Sequence, residues 1–502
     1  MSNTIHKTIQ SVRDFADRQN LFNVENIIVG VSGGPDSMAL LSVLYEISLT
    51  EKSFPNLIVV HVNHQIRPGD AMRDQQFVEE FCTKLGVKCV SFTYDIPKLA
   101  SENGRSLEEM GRIMRYTAFE QCAQELCGDD YEARCRIAVA HHKDDIAETM
   151  LMNLFRGCGL DGLVSPRARN GLVIRPLLCV TKDEIYEYLQ SQGIDYVTDY
   201  TNLELDCTRN VWRNKILPDI SEVSNKDATE ALNDTYSLLK EDSSFLEMSA
   251  DKVYCDEVRD VGGTKVLSCT VISDSHKAIA SRLIRRLRQE NKGDLVDFSA
   301  RHLELTLNLA QEASWETKTI DMPFDTLAFV CAGYIGFCKD VDELKRVSIG
   351  IANLMGVVAV EGDLSMEIDL NQTINTKIPN SNLLIRVQKF ENIDGLEYNE
   401  QSWFIPFFGG ETSTITITNG LTQMKFTRAG SSSGKVLSKV MSDMHIPRDA
   451  RGSVLGIKYG EDYLWIPGIG HTNGFVSDKS HEAWKKNNSN AKGYFRVEIT
   501  DA

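Results

Sequence analysis

Apolar residues in the first 220 positions alternate between short runs and longer amphipathic stretches. Two stretches, at 70–85 and 107–126, repeat their apolar residues every three or four positions and so predict helices. Four short apolar runs predict strands, at 27–31, 57–61, 87–92 and 137–140. Strands separated by helices need crossover connections, which are typical of parallel sheets. The pattern predicts a doubly wound α/β fold for residues 1–218.

The pattern changes after Pro218. The next hundred residues are mostly helical in character, and a later alternation, Thr-Ile-Thr-Ile-Thr at 414–418, is typical of a strand. We therefore expect three further regions: a helical domain at 219–315, a connecting region of unclear role at 316–401, and a smaller mixed α/β carboxyl-terminal domain at 402–502.

A polar, glycine-rich turn follows the first predicted strand and precedes an apolar stretch of helical character. Glycines let the backbone approach an anion closely, and the N–H groups of a new helix converge there. The turn lacks the lysine of a Walker loop, and an ordinary glycine-rich turn is the alternative. As a phosphate-binding loop it consists of Ser32, Gly33, Gly34, Pro35, Asp36 and Ser37.

Composition narrows the setting of the chain. Of 502 residues, 42% are hydrophobic and 25% charged, as in soluble globular proteins. The first residues lack the apolar core of a secretory signal, and no apolar run approaches the length of a membrane span. We expect a cytoplasmic protein without a membrane partner.

The cysteines argue against several kinds of site. There are 12, none after Cys338, and no two form a Cys-x-x-Cys pair. This distribution favours reduced structural thiols over disulfides, zinc or an iron–sulfur cluster. Four histidines, His61, His64, His141 and His142, also match no zinc motif, and we interpret them as lining a nucleotide site.

Charge is unevenly distributed along the chain. The net charge is −17, yet residues 421–502 carry 12 Lys and Arg against 8 Asp and Glu, a local balance of +4. A local basic surface can bind a polyanion within an acidic protein. The excess is small, and an ordinary solvated surface is the alternative.

Several stretches in a fixed order carry a family resemblance. Besides the glycine-rich loop, they are His-Val-Asn-His-Gln-Ile-Arg-Pro at 61–68, His-His-Lys-Asp-Asp-Ile-Ala-Glu at 141–148, Arg-Gly-Cys-Gly-Leu-Asp-Gly-Leu at 156–163 and Arg-Asn-Val-Trp-Arg-Asn at 209–214. Together they resemble the tRNA(Ile)-lysidine synthetases, which belong to the PP-loop ATP pyrophosphatase superfamily. The resemblance covers nearly all of residues 24–218.

The resemblance implies catalytic roles for five residues, namely Asp36, Arg112, Asp145, Glu148 and Arg209. Asp145 and Glu148 are three apart at the start of a predicted helix, so they share a face, and by resemblance they bind the lysine substrate. Asp36 is the expected ligand of Mg²⁺. A helix-dipole role for the two acids and a surface salt bridge for Arg112 are the alternatives.

The carboxyl-terminal stretch resembles the tRNA-binding domain of the longer members of the family. The expected tRNA contacts across the chain are Arg209, Arg213, Arg428, Lys435, Lys439 and Arg451. Lys435 and Lys439 are expected on one helix, and a solvated helix face is the alternative for Arg209 and Arg213. Ala-Gly-Ser at 429–431 departs from the Gly-Asp that the family often has.

The implied activity uses ATP and Mg²⁺ to join free L-lysine to C2 of the wobble cytidine of isoleucine tRNA with a CAU anticodon. The family also suggests a homodimer. Two other classes of function remain: a PP-loop thiolase, which the absence of paired cysteines disfavours, and an RNA-binding module without catalysis, which intact Asp36, Arg112, Asp145 and Glu148 disfavour.

Overall fold

The computed structural model divides the chain into two compact units, 1–244 and 245–502, and each is described by itself. The structure describes residues 2–66, 68–197, 208–293, 295, 297–312, 315–370, 374–379, 381, 383–391, 402–407, 414–428, 433–460, 463–472 and 491–501. The Ala-Gly-Ser departure at 429–431 and the side chain of Arg209 lie outside the described residues.

The amino-terminal unit is built on a six-stranded sheet. Its strands are β1 (Asn26–Gly30), β2 (Asn56–Asn63), β3 (Lys88–Thr93), β4 (Cys135–Ala138), β5 (Arg169–Asn170) and β6 (Val173–Ile174). The order is β3-β2-β1-β4-β6-β5, and only the edge pair β5–β6 is antiparallel. Strand order reverses between β1 and β4, and ligands of such sheets bind outside the carboxyl ends at that point.

Helices cover both faces of this sheet. They are α1 (Ser2–Arg18), α2 (Pro35–Thr50), α3 (Pro68–Leu85), α4 (Ile96–Asn103), α5 (Leu107–Cys127), α6 (Tyr131–Arg134), α7 (Lys143–Arg156), α8 (Leu160–Leu163), α9 (Lys182–Gln192), α10 (Thr208–Val211), α11 (Leu217–Ser224) and α12 (Ala228–Glu257), which contains the division between the units. A π-helical turn, Trp212–Ile216, connects α10 to α11.

Alternate residues of β1 belong to different cores. Ile27 and Val29 pack with one hydrophobic cluster, whereas Ile28 packs with a second cluster that contains Ile58 and Val60. Side chains of a strand point alternately to opposite faces, so burial of all three requires cover on both sides. The doubly wound α/β prediction for this part of the chain is confirmed.

The carboxyl-terminal unit contains antiparallel sheets. The strands are β7 (Arg259–Val261), β8 (Thr264–Ser268), β9 (Lys318–Met322), β10 (Thr326–Cys331), β11 (Tyr334–Cys338), β12 (Ser365–Asp369), β13 (Ile374–Lys377), β14 (Leu383–Phe390), β15 (Ser402–Phe407), β16 (Thr414–Thr418), β17 (Lys425–Phe426), β18 (Lys435–Val436), β19 (Gly456–Tyr459), β20 (Tyr463–Ile466), β21 (Gly470–His471) and β22 (Gly493–Asp501). The helices are α13 (Cys269–Asp274), α14 (Lys277–Lys292), α15 (Ala300–Gln311), α16 (Val341–Leu354) and α17 (Leu437–Asp443).

The sheet orders join distant parts of this unit. One sheet runs β7-β8-β11-β10-β9, so the region expected to be helical also supplies two strands to a sheet completed beyond residue 316. Two others run β12-β16-β19-β20-β21 and β13-β14-β22-β15, and β17 pairs with β18. In the described part of the chain, no helix has both the length and the apolar character needed to cross a membrane.

One expected helix is wrong in detail. Lys435 is not on the helix of Lys439: it lies in β18, paired with Phe426, and α17 begins only at Leu437. Val436 precedes the helix with extended backbone angles, φ −64° and ψ 134°. The backbone groups of Lys435 form their hydrogen bonds with the partner strand. Strand pairing therefore decides the conformation of Lys435, and the four-residue spacing between the lysines does not place both on one helix.

Candidate active site

The glycine-rich loop is held in shape by its two serines. The Ser32 backbone N–H donates to Ser37 Oγ over 3.1 Å, and the two serine hydroxyls lie 3.1 Å apart. Ser37 Oγ in turn donates to the carbonyl of Gly34 over 3.0 Å. These bonds fix the path of the chain from the end of β1 into α2.

Two features of the loop suit an anion. Gly33 has a φ of +92°, a backbone conformation that side-chain-bearing residues rarely adopt. Gly34 is the N-cap of α2 and supplies no side-chain cap, and Pro35 begins the helix. The first N–H groups of α2 therefore have no capping side chain, and the helix dipole adds positive potential at this end.

Asp36 stands in the first turn of α2 with an unsatisfied oxygen. Its Oδ1 is buried and has no hydrogen-bond partner among the described residues. Burial raises the pKa of Asp36, and nearby Asp145 adds to that effect while His142 opposes it. A buried carboxylate oxygen without a donor is suited to a cation.

His142 connects the end of β4 to this carboxylate. Its Nε2 lies 3.8 Å from Asp36 Oδ2 and 3.7 Å from Asp145 Oδ2, and its Nδ1 lies 3.2 Å from Asp144 Oδ2. Burial lowers the pKa of His142, but the three carboxylates outweigh burial and raise it above its usual value. The arrangement brings the loop after β1 and the loop after β4 together, at the point where strand order reverses.

Asp145 and Glu148 form one cation-binding pair on α7. Glu148 is 0% exposed and Asp145 7%. The guanidinium of Arg213 binds both: its Nη2 lies 3.2 Å from Asp145 Oδ1 and 3.1 Å from Glu148 Oε2, and its Nε also donates to Glu148. The structure thus joins an expected tRNA contact to the two acids expected to bind lysine.

A cavity of about 200 Å³ opens beside this pair. Its polar lining includes Glu148, Arg213 and Lys182, and its apolar lining includes Leu217 and Pro218. The cavity therefore presents charges of both signs next to an aliphatic wall. Such a lining suits a ligand that carries an ammonium, a carboxylate and a methylene chain.

Two histidines near the neighbouring strand ends, His61 and His64, have lowered pKa values. The Nδ1 of His61 lies 2.9 Å from the Val31 carbonyl, which accepts a hydrogen bond from it. Burial lowers the pKa of His61, and burial together with Arg115 lowers that of His64 to about 4. Within the described residues, no group of three or more His, Cys, Asp or Glu is placed to hold a metal ion.

One expected catalytic arginine, Arg112, lies apart from the acids in the described structure. Arg112 is exposed on α5, with its guanidinium carbon 5.0 Å from the centre of the Tyr116 ring. No ion pair joins it to Asp36, Asp145 or Glu148 in the described structure. Arg209 lies in α10, four residues before Arg213. Their catalytic roles stay predictions.

The expected tRNA contacts of the carboxyl-terminal unit have different surroundings. Lys435 and Lys439 are exposed, and Lys435 Nζ lies 2.9 Å from Asp443 Oδ2. Arg428 is exposed beside Gly470, whereas Arg451 is half-buried and its Nε donates to the Ile446 carbonyl over 3.0 Å. A main-chain bond therefore already engages part of Arg451.

Two residues of the site, Lys182 and Asp144, were not predicted from the sequence. The Lys182 backbone N–H donates to Asp144 Oδ2 over 2.9 Å, and its side chain lines the cavity. Burial raises the pKa of Asp144, but the bonds from His142 and Lys182 outweigh burial and lower it. The signal available was the polar Thr-Lys-Asp-Glu at 181–184 after an apolar stretch, which marks a helix start without indicating where that start points.

A parallel sheet, a glycine-rich loop at its carboxyl edge and a buried acidic pair define a nucleotide-binding α/β enzyme of the PP-loop class. Residues 3–220 match a family described as PP-loop domain, and residues 415–488 match one described as TilS substrate C-terminal domain. Both matches agree with the two-unit division.

Two known proteins match this chain over nearly its full length, and a solved structure matches about half of it. The tRNA(Ile)-lysidine synthase of Caldanaerobacter subterraneus subsp. tengcongensis is 31% identical over 94% of this chain and 95% of its own. That of Clostridium tetani is 29% identical over 95% of each. A solved U34-tRNA thiolase NcsA from Methanococcus maripaludis is 21% identical, covers 48% of this chain and 81% of its own, and has a TM-score of 0.39. The chain belongs to the tRNA(Ile)-lysidine synthase family, and the family prediction is confirmed.

Proposed function

We propose that this protein is an ATP-dependent ligase that joins lysine to C2 of the wobble cytidine of isoleucine tRNA carrying a CAU anticodon. The product, lysidine, changes codon reading from AUG to AUA. One observation carries the proposal for the site: Asp145 and Glu148 hold a cationic side chain beside the loop of Asp36. A guanidinium and an ammonium are both cations that donate N–H groups, so the pair is suited to the lysine side chain.

In the first step, the C2 carbonyl oxygen of the cytidine attacks the α-phosphate of ATP, and pyrophosphate leaves. The loop of Ser32, Gly33, Gly34, Pro35, Asp36 and Ser37 holds the phosphates through the N–H groups at the start of α2. The serine hydrogen bonds fix the loop, and with it these N–H groups, before the reaction begins. The N–H groups can therefore stabilise the negative charge that develops on the phosphates without rearranging.

Magnesium fits at Asp36. The unsatisfied buried Oδ1 is an oxygen ligand of the kind that Mg²⁺ takes, directly or through water. Bound there with ATP, the ion would neutralise phosphate charge. His142, whose pKa the surrounding carboxylates raise, lies near Asp36, and its backbone N–H orients the start of α7 by donating to Asp145 Oδ2 over 3.0 Å.

In the second step, the lysine ε-amine attacks C2, and the C2–O bond breaks as AMP leaves with the oxygen. Adenylation has turned a poor leaving group into a good one. Asp145 and Glu148 hold the ε-ammonium near C2, and a carboxylate is placed to take the proton that the amine must lose.

Arg213 and lysine need the same carboxylates. The guanidinium contacts both acids, so an ε-ammonium can bind them only if Arg213 gives up some of these contacts. As an expected tRNA contact, Arg213 has an alternative partner in a phosphate. Release of Arg213 by bound tRNA would open the lysine site when the cytidine is present.

The remaining assignments extend over both units. Arg112 and Arg209 are proposed to stabilise phosphate charge or the adenylated intermediate. Arg428, Lys435, Lys439 and Arg451, with Arg209 and Arg213, are proposed to contact tRNA. A homodimer and a cytoplasmic location stay predictions.

The test incubates the purified protein with ATP, Mg²⁺, radiolabelled lysine and the isoleucine tRNA transcript. We expect label in the tRNA together with AMP and pyrophosphate, and no label when the wobble cytidine is replaced by uridine. A folded protein that transfers no lysine to a verified transcript would refute the proposal. Sulfur transfer from an added donor would instead indicate a thiolase.

A further inference from the structure

An exposed aromatic pair lies at the carboxyl-terminal end of α7. Phe155 is 73% exposed, and its ring centre lies 5.3 Å from that of Trp212 at an interplanar angle of 33°. Trp212 is half-buried and packs against the cluster that contains Leu151 and Leu217. The pair therefore has a fixed inner ring and an exposed outer ring.

The exposure of Phe155 leaves most of an apolar ring in contact with water. A phenyl ring gains stability when it is buried, and contiguous exposed apolar side chains commonly mark binding surfaces. The preceding residue, Leu154, is also 53% exposed. The apolar surface at this end of α7 is therefore suited to a partner that packs against the ring of Phe155.

Basic residues flank the pair in the sequence. Arg156 directly follows Phe155, and Lys215 lies three residues after Trp212; both are exposed. Exposed aromatic rings with cations beside them are typical of surfaces for single-stranded nucleic acid, where bases stack on rings and cations contact phosphates. The charge is complementary to RNA.

The position of the pair fits the same partner. Phe155 follows Glu148 by seven residues on α7. Seven residues are close to two helical turns, so the two side chains leave similar faces about 10 Å apart along the axis. A base flanking the reacting cytidine in an open loop can reach that far, because single-stranded bases are splayed out on protein surfaces.

We propose that Phe155, supported by Trp212, is a stacking platform for the unpaired base next to the wobble cytidine. This inference rests on the proposed function, since it takes the anticodon loop as the ligand. Stacking tolerates any base, so the platform contributes affinity and places the cytidine, and it does not select the sequence.

The first experiment measures the affinity of an anticodon stem–loop RNA for single variants. Phe155→Ala and Phe155→Leu are expected to weaken binding about tenfold, because neither side chain stacks, whereas Phe155→Tyr stays within about twofold of the parent. Phe245→Ala removes another exposed ring, 65% exposed, and is the matched control that should bind normally. Unchanged melting temperatures show that each variant is folded.

The second experiment identifies the base. Stem–loops that lack the base on one or the other side of the wobble cytidine are measured with the parent and with Phe155→Ala. On one side of the cytidine, removal of the base should weaken binding to the parent protein about tenfold. The same removal should leave the affinity of Phe155→Ala unchanged, because that variant has already lost the stacking contact. Additive losses at both flanks would overturn the proposal.

Other outcomes separate this inference from its alternatives. Parental affinity in Phe155→Ala refutes the platform, and a simultaneous shift to a smaller species in sedimentation would assign the ring to contact between copies of the chain. Binding is measured without catalysis. Failure of lysine transfer by the parent protein therefore counts against the proposed function alone, while parental RNA affinity in Phe155→Ala counts against the platform alone.

Discussion

The charged residues of the two units differ in their surroundings. In the amino-terminal unit, Glu148 is fully buried and pairs with Arg213, whose side chain is 25% exposed. In the carboxyl-terminal unit, Lys435 and Asp443 form an ion pair whose side chains are 56% and 51% exposed. The first pair has lost most of its water, and the second keeps it.

This difference separates two tasks. Removing one partner of a buried ion pair is costly, so the site of Glu148 favours the exchange of one bound cation for another. An exposed pair contributes little to stability, and its lysine can turn to a phosphate at small cost. The buried pair suits chemistry on a small cation, and the exposed one suits attraction of a polyanion.

The largest effect is expected when Glu148 is changed to Gln. The change removes the charge of Glu148 and leaves Arg213 with Asp145 as its charged partner. Loss of one partner of a buried ion pair lowers the free energy of unfolding by about 3–5 kcal/mol. We expect a lower urea midpoint and no lysine transfer, measured by denaturation and with radiolabelled lysine. Asp443→Asn is the matched exposed change, and we expect no measurable loss of stability. Equal losses of stability in the two variants would contradict the distinction between the buried pair and the exposed pair.

The next effect concerns Asp36. With Asn at this position, the loop keeps its shape but loses the charge that suits Mg²⁺. Pyrophosphate release should fall about 100-fold, equivalent to about 2.7 kcal/mol of barrier. Asp183→Asn changes an exposed acid in the first turn of α9 and should leave the rate unchanged. A full rate with ordinary Mg²⁺ dependence in Asp36→Asn would exclude Asp36 as the ligand.

A smaller effect is expected from charge reversal at Lys435 and Lys439. The double change to Glu should raise the Kd for tRNA about tenfold, or about 1.4 kcal/mol, and lower the salt slope of binding by about 2. Pyrophosphate release at saturating tRNA should not change. Lys345→Glu alters another exposed lysine, 57% exposed and paired with Asp342, and is the control. Unchanged affinity across a KCl series would remove these lysines from the tRNA surface.

The smallest effect is a pH dependence of stability. The pKa of His64 is lowered from 6.5 to about 4, mainly by burial, so the unfolded chain takes up its proton first as pH falls. The free energy of unfolding should therefore decrease as the pH falls from 6.5 to 4. We expect a decrease of about 1 kcal/mol after allowance for the partial exposure of His64. His64→Gln should reduce this decrease, and exposed His445→Gln should not. Identical pH curves for all three proteins would contradict the assignment.

Local chemistry made much of the amino-terminal unit predictable. The runs at 27–31 and 57–61 correspond to β1 and β2, because strands buried on both faces are apolar throughout. The loop at 32–37 was identifiable since its glycines and serines are adjacent in sequence. Lys435 was misplaced because a two-residue strand depends on its partner, which lies about ten residues earlier in the chain.

The sequence by itself determined the family, the glycine-rich loop and the acidic pair, because these depend on residue types at short, fixed spacings. Tertiary structure decided which charges meet. Arg213 lies 65 residues from Glu148 along the chain, and only the packing of α7 against the turn after α10 brings them together. Lys182 reaches the same cavity from α9. No local pattern encodes such contacts, since burial makes charges pair with whatever partner the fold brings near.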